Sequence, residues 1–158
     1  MSEPLPAAER FGLGAIDQVS YAVADVEEAA RRYGAIFGHF EVAQVPPMAV
    51  TYRGRPATVA LRLGFARSGP VEIELVEVLE GECPARDHLL AHGEGVHHVR
   101  FPVSDLAATR AAMEADRWVT TFAGESGEVS FAYLEPPGGT AGPVIELIQT
   151  APPVPSSS

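Results

Sequence analysis

Four side chains that can ligate a metal ion occupy matching positions in two repeated stretches of the chain. The stretch that begins at Gln18 returns 80 residues later at His98, and the residues that follow repeat the same apolar pattern. A second match, the tripeptide Ile-Glu-Leu, places Glu74 and Glu146 72 residues apart. An internal repeat is a strong architectural signal. Two half-sites on two copied units predict one shared site.

The alternation of residue types predicts where these side chains point. Successive residues of a strand point to opposite faces of a sheet. In the first strand of each unit, the large apolar residues share the face that a helix would cover, and Gln18 or His98 lies on the other. Glu74 and Glu146 likewise lie on the opposite strand face from the isoleucine and leucine on either side of them. A carboxylate near a core is costly, and a bound cation would offset that cost.

One imidazole, two carboxylates and one amide oxygen form a mixed nitrogen and oxygen donor set. This set suits a borderline or hard divalent ion, such as Mn, Co, Ni, Fe or Zn, with room for water or substrate oxygens. Any one of the four residues alone is more typical of a solvated strand position. Their recurrence at duplicated positions favours one divalent ion per chain, whose identity stays open.

Three neighbouring residues are secondary candidates. Glu72 shares the predicted face of Glu74 and is an alternative ligand and a candidate for contact with the substrate. Arg100 shares the predicted face of His98, and it is expected either to bind a substrate anion or to pair with Glu72. His97 has the opposite parity and is interpreted as a packing residue or as a support for His98. The other histidines are predicted to be exposed: His39, His88 and His92.

The elements that must position these residues follow the same order in both halves. Asp25 and Asp105 are predicted to cap the helices that follow the first strand of each half. In the first half, strands are predicted at 16–23, 40–45, 48–53, 56–64 and 71–78. In the second half, strands are predicted at 97–103, 118–122, 129–134 and 143–149.

The pattern predicts an α+β fold in which two paired β-α-β-β-β modules form a curled sheet cup around the metal site. The predicted divisions of the chain are a loose N-terminal arm at 1–13, a first module at 14–80, a connector with a short helix at 81–95, a second module at 96–150 and a disordered tail at 151–158.

Composition narrows the classes of partner and compartment. The net charge is −10 and the sequence has no lysine, which argues against a nucleic-acid partner. No apolar run is long enough to span a membrane, and the first residues lack the pattern of a secretory signal. The single cysteine, Cys83, permits no internal disulfide and is not predicted to be a nucleophile. We expect a cytoplasmic protein.

Four phrases of the chain carry a resemblance to a known family. They are Asp17-Gln-Val-Ser-Tyr-Ala-Val-Ala-Asp-Val, Val71-Glu-Ile-Glu-Leu-Val-Glu, Gly93-Glu-Gly-Val-His-His-Val and Val144-Ile-Glu-Leu. On these phrases the chain, from Ile16 to Thr150, resembles the vicinal oxygen chelate superfamily. That superfamily includes glyoxalase I, methylmalonyl-CoA epimerase, extradiol dioxygenases and bleomycin- or fosfomycin-resistance proteins. The run at Gly93 looks most like the epimerase branch.

Two departures from the epimerase branch bear on the reaction. That branch usually has His where this chain has Gln18 and Gln where it has Glu74, so the set here looks like the glyoxalase I ligand set. The branch also carries a carboxylate base in the first module's hairpin, where this chain reads Thr-Tyr-Arg-Gly-Arg at 51–55. Tyr52 of this hairpin is a further candidate for contact with substrate. The phrase Tyr-Arg-Gly-Arg-Pro resembles a broad subgroup of glyoxalase-like proteins.

The resemblance implies a metal-dependent isomerase or epimerase that transfers a proton next to a carbonyl, with an acyl-CoA or a 2-substituted acid as substrate. Glu146 is the expected proton-transferring carboxylate, and Glu74 is the second catalytic candidate. Two alternatives stay open: a glyoxalase I-like lyase acting on thiol adducts of α-oxoaldehydes, and a non-enzymatic resistance-type protein that binds a small molecule. A ring-cleaving dioxygenase is disfavoured, because such enzymes usually present two His and one Glu. A homodimer is expected.

Overall fold

The computed structural model describes residues 10–139 and 142–150. Eight strands and three helices lie wholly within these residues. The first module contains β1 (Gln18–Ala22), α1 (Val26–Phe37), β2 (Glu41–Tyr52), β3 (Arg55–Ser68) and β4 (Val71–Glu80). After the connecting helix α2 (Pro84–His92), the second module contains β5 (Gly95–Pro102), α3 (Leu106–Ala115), β6 (Val119–Ser126), β7 (Val129–Glu135) and β8 (Val144–Gln149).

Both long helices begin at the predicted aspartates. The carboxylate of Asp25 accepts hydrogen bonds from the backbone N–H groups of Glu27 and Glu28. The carboxylate of Asp105 accepts one from Ala108. Each cap satisfies backbone donors that have no partner within the helix and stabilises the helix start by about 1 kcal/mol.

The eight strands form one curled sheet in the order β1-β4-β3-β2-β6-β7-β8-β5, which closes back on β1. The two modules join through the antiparallel pairing of β1 with β5. A short pairing of Val50–Tyr52 in β2 with β6 closes the opposite side. The α+β class and the paired modules are therefore confirmed, and this second junction makes the predicted cup a closed barrel.

The strands predicted at 40–45 and 48–53 form a single strand, which corrects the predicted break. The register of β2 against β3 shifts between Val45 and Met48, around the pair Pro46 and Pro47. Prolines donate no backbone hydrogen bond, so they interrupt the ladder. The chain nevertheless stays extended, and the irregularity is a bulge rather than a turn.

Apolar side chains form three clusters: one under α1, one under α3 and one inside the barrel. Phe11 and Leu13 pack against the α3 cluster. The described end of the predicted loose arm, at 10–13, therefore contacts the core. Positions 1–9 of that arm and the predicted tail at 151–158 lie outside the described residues. Among the helices of the described part, none has the length and apolar character needed to cross a membrane.

Candidate metal centre

The four predicted ligands converge inside the barrel around one nitrogen atom. Nε2 of His98 lies 2.8 Å from Oε2 of Glu146, 3.0 Å from Oε1 of Gln18 and 3.6 Å from Oε1 of Glu74. All four side chains are buried. They come from β1, β4, β5 and β8, the four strands that meet where the two modules join.

Strand parity accounts for this convergence. In β1 the residues Gln18, Ser20 and Ala22 are buried and face the barrel interior, whereas Val19 and Tyr21 pack under α1. The interior of a barrel is lined by every second residue of each strand. β4 runs parallel to β1, and β8 runs parallel to β5. The duplicated strand pair therefore places its polar residues on one internal surface.

The spacing of the donor atoms is compatible with one ion. Ligands about 2.1 Å from an ion lie about 3.0 Å apart at octahedral corners and about 3.4 Å apart at tetrahedral corners. The distances from His98 Nε2 to the other three donors are 2.8–3.6 Å. In the described residues these donors contact one another, and no group of three His, Cys, Asp or Glu side chains is already arranged as a metal site. Fitting an ion therefore requires side-chain rotation about these positions.

The charge of the site also fits a cation. The pKa of Glu74 is raised from 4.5 to about 7, mainly by burial; His98 and a hydrogen bond from Ser20 act to lower it, and the charge of Glu146 acts to raise it. Ser20 Oγ donates that bond to Oε1 of Glu74 over 2.7 Å. Two carboxylates and one imidazole thus share a buried site, and a divalent ion would offset the cost of ionising Glu74.

A second layer of polar residues orients the amide of Gln18. Its Nε2 donates to Oε1 of Glu72 over 2.7 Å, which turns its Oε1 towards His98. Supporting contacts of this kind fix the direction of a ligand. Glu72 thus holds the amide of Gln18, and this contact does not test its predicted roles as an alternative ligand or a substrate contact.

Arg100 forms part of this layer. Its Nε donates to Oδ1 of Asp17 over 2.8 Å and its Nη2 to Oδ2 over 3.2 Å. Its Nη2 also lies 3.7 Å from Oε1 of Glu72. Of the two predicted uses of Arg100, the structure shows the pairing with carboxylates. The sequence analysis missed Asp17 as its main partner.

A β-bulge turns His97 inward beside His98. Ser20 pairs with His98 and Tyr21 pairs with Val96, so His97 has no partner residue in β1. His97 is buried, and its Nδ1 lies 2.9 Å from Nδ1 of His98. The prediction that His97 has the opposite parity is wrong, because a bulge changes the alternation locally. Burial holds the pKa of His97 well below 6.5.

Two cavities lie beside the centre, and they share two wall residues. The inner cavity, of about 110 Å³, has Glu74, Glu146 and His97 on its polar side. Its other walls are mainly apolar: Met48, Leu61, Leu63, Val76, Phe122 and Phe131. The outer cavity, of about 420 Å³, lies beside α2, and His97 and Pro84 belong to the walls of both. His88 is half-buried in the outer wall, so its predicted exposure is wrong, whereas His39 is exposed as predicted.

Tyr133 is a residue of the centre that the sequence analysis missed. Its ring centroid lies 4.9 Å from that of His98, and its side chain lines the inner cavity. Burial, reinforced by the charges of Glu146 and Glu74, raises its pKa well above 10. The phenol is therefore neutral. The alternation of residues in β7 could have predicted its inward orientation, since Phe131 and Tyr133 share a strand face.

Tyr52 lies away from the four donors. Its hydroxyl donates to Asp87 of α2 and accepts a hydrogen bond from Nε of Arg53 over 3.2 Å. Arg53 also lies 3.7 Å from Glu135. The predicted substrate contact of Tyr52 is not tested by these bonds, which show the residue connecting the β2–β3 hairpin to α2.

Most of the chain matches the model of one protein superfamily. The model of the Glyoxalase/Bleomycin resistance protein/Dioxygenase superfamily matches residues 17–133. The chain belongs to this superfamily. The match confirms the resemblance inferred from the sequence phrases. No curated protein matches the chain.

Several solved structures share the fold of this chain. Methylmalonyl-CoA epimerase from Mycobacterium tuberculosis is 21% identical, with a TM-score of 0.60 over 89% of this chain and 90% of that one. The Streptomyces coelicolor epimerase, in complex with 2-nitronate-propionyl-CoA, is 21% identical, with a TM-score of 0.63 over 89% and 99%. A hypothetical protein from Bacillus halodurans is 17% identical, with a TM-score of 0.59 over 89% and 96%.

Replacing Glu74 by Gln is expected to stabilise the metal-free protein at pH 8 and to change little at pH 5. The pKa of this carboxyl is about 7 in the folded chain against 4.5 ordinarily, so the folded state holds more protons between these values. Burying the charged form of Glu74 lowers the free energy of unfolding by up to about 3 kcal/mol. This cost is absent well below pH 4.5 and reaches its full value above pH 7.

Calorimetric melting in the presence of a chelator measures this effect. Glu80→Gln, an exposed carboxylate on the same strand, is the matched control and should change stability little at either pH. Equal stabilisation of Glu74→Gln at pH 5 and pH 8 would show that burial of the charge is not its cause.

Proposed function

We propose that this protein is a metal-dependent isomerase or epimerase that transfers a proton next to a carbonyl group. The observation that carries the proposal is the position of two buried carboxylates, Glu74 and Glu146, beside the imidazole of His98 at the wall of a largely apolar cavity. Membership of the superfamily and the fold shared with methylmalonyl-CoA epimerases support it.

One divalent ion would be held by Gln18 Oε1, His98 Nε2 and the carboxylates of Glu74 and Glu146. Such an ion supplies Lewis-acid stabilisation of the charge that develops on the substrate oxygen as an enolate or enediolate forms. The fit rests on donor chemistry, on the spacing around His98 and on the excess of buried negative charge.

Glu146 takes the proton from the carbon next to the carbonyl. It belongs to the wall of the inner cavity and is held by His98 at 2.8 Å, so its carboxylate is oriented for transfer. Glu74 borders the same cavity and is the second carboxylate that can return a proton to the substrate.

The two carboxylates belong to different modules, which bears on the outcome of the reaction. Glu74 lies on β4 and Glu146 on β8, with β1 and β5 between them. Removal of a proton by one and return by the other to the opposite face of the same carbon gives epimerisation. Return to the neighbouring carbon gives isomerisation. The inner cavity is small enough to select a short substituent, and the outer one takes a larger portion of an acyl-CoA or 2-substituted acid.

A second candidate is a glyoxalase I-like lyase acting on thiol adducts of α-oxoaldehydes. The specific observation in its favour is that the β2–β3 hairpin at 51–55 carries no carboxylate, while both buried glutamates lie within the donor set. A resistance-type binding protein needs neither metal nor turnover, so stoichiometric metal after purification separates it from both enzymes.

We also propose a cytoplasmic location and a homodimer. Cys83 is a buried free thiol, which fits a reducing compartment such as the cytoplasm. The net charge of −10 disfavours nucleic acid as a partner. A homodimer is proposed from the resemblance to the superfamily, and light scattering of the eluted protein measures it.

Solvent deuterium exchange tests the function. The metal-loaded protein is incubated in D2O with methylmalonyl-CoA, the molecule bound in one of the structurally similar enzymes, and in parallel with a hemithioacetal of an α-oxoaldehyde. We expect NMR to show deuterium at the carbon next to the carbonyl of one substrate, with activity lost on chelation and restored by a divalent ion. Stoichiometric metal without exchange in either substrate would contradict an isomerase and a lyase of these classes.

A further inference from the structure

One end of the His97 ring has no hydrogen-bonding partner among the described residues. The residue is only 1% exposed, and its Nε2 is buried without a hydrogen-bonding partner. Buried polar atoms are nearly always paired with protein or with water. An unpaired buried nitrogen in a residue that lines two cavities therefore points to a partner that is not part of the protein.

His97 lies at the junction of the two cavities. Its ring belongs to the walls of both the inner and the outer cavity. It is also in edge contact with His88, whose ring centroid is 5.8 Å away on the outer side. A molecule that occupied both cavities would therefore lie against a wall to which this ring belongs.

The other end of the ring determines where the proton of His97 lies. Nδ1 of His97 is 2.9 Å from Nδ1 of His98, so one of these atoms donates and the other accepts. If Nε2 of His98 offers its lone pair to an ion, Nδ1 of His98 carries a proton and donates it. Nδ1 of His97 is then the acceptor, and the proton of a neutral His97 is on Nε2.

We propose that the Nε2–H group of His97 donates a hydrogen bond to a carbonyl or carboxylate oxygen of the substrate at the junction of the two cavities. This inference rests on the proposed function and adds a substrate-binding residue to it. The bond places the small substituent of the substrate in the apolar inner cavity and its larger portion in the outer cavity. It selects for molecules with an acceptor oxygen at that junction.

The direct test uses the wild-type protein with labelled histidine. Long-range ¹H–¹⁵N spectra of the Zn²⁺-loaded protein report the tautomer of His97 before and after addition of acetohydroxamate, whose two oxygens imitate an enediolate. We expect the Nε2–H tautomer, and a shift of this N–H when the hydroxamate binds. The Nδ1–H tautomer, or bound hydroxamate without a change at His97, would overturn the inference and leave the proposed function intact. Failure of the wild type to bind any of Zn²⁺, Mn²⁺, Co²⁺, Ni²⁺ and Fe²⁺ would overturn both.

Variants supply an independent measurement. His97→Phe keeps the ring and removes both nitrogens, and its affinity for acetohydroxamate is expected to fall about 10- to 100-fold. His97→Gln, which keeps a donor, should recover part of this loss. The control is His39→Phe, which removes an exposed histidine and should bind as the wild type does. Zn²⁺ content is measured for every variant, and hydroxamate affinity unchanged in metal-loaded His97→Phe would contradict the proposed hydrogen bond.

Discussion

Replacing Glu146 by Gln is expected to slow exchange of the substrate's α-proton by about 10²- to 10⁴-fold. The amide keeps an oxygen that can ligate and a group that can contact His98, which lies 2.8 Å from Oε2 in the wild type. It cannot accept a proton at neutral pH. The loss should therefore fall on the rate, with metal content little changed. NMR of deuterium incorporation at saturating substrate measures that rate.

The matched control is Glu80→Gln, which removes an exposed carboxylate by the same substitution. Its rate should equal that of the wild type. If Glu146→Gln exchanges at a near wild-type rate, another group is the base. Glu74 would then be the next candidate, since it borders the same cavity and has a pKa of about 7.

Replacing His98 by Ala is expected to weaken divalent metal binding by at least about 100-fold. Loss of a supporting residue alone typically costs 10- to 100-fold in affinity, and His98 is proposed as a direct ligand. Its Nε2 lies within 3.6 Å of all three other donors, so the substitution leaves two carboxylates and an amide without their nitrogen partner. Elemental analysis after dialysis against a trace of metal measures the occupancy.

Circular dichroism must show that His98→Ala keeps its strands, because the removed ring is buried. His88→Ala is the control, since His88 lies in the outer wall and outside the donor set. Metal should stabilise the wild type by about 2.7 kcal/mol at a hundredfold excess over its dissociation constant. This stabilisation should be absent in His98→Ala. Full occupancy and normal stabilisation in that variant would rule out His98 as a ligand.

The fold and the convergence of the four donors could be predicted because both depend on local alternation. Gln18 and His98 face the interior since each is opposite in parity to the apolar residues that a helix covers. The duplicated order of elements then indicated two modules with one junction. Alternation and repetition are properties of the sequence itself, so no knowledge of distant contacts was needed.

The main partners of the supporting residues could not be predicted, because these contacts depend on register between distant strands. Ser20 reaches Glu74 because these residues pair in the parallel β1–β4 ladder, and Arg100 meets Asp17 across the β1–β5 junction. The inward turn of His97 depends on a bulge of one residue, which reverses parity at that position alone. Closure of the barrel likewise depends on pairing between strands far apart in the sequence, β2 and β6.

The central claim is that Gln18, Glu74, His98 and Glu146 hold one divalent ion. Crystals of the Mn²⁺-loaded wild type, measured at wavelengths above and below the manganese absorption edge, test this claim most directly. We expect a single anomalous peak per chain within coordination distance of all four side chains. A peak elsewhere, or none in crystals whose solution holds stoichiometric Mn²⁺, would contradict the assignment.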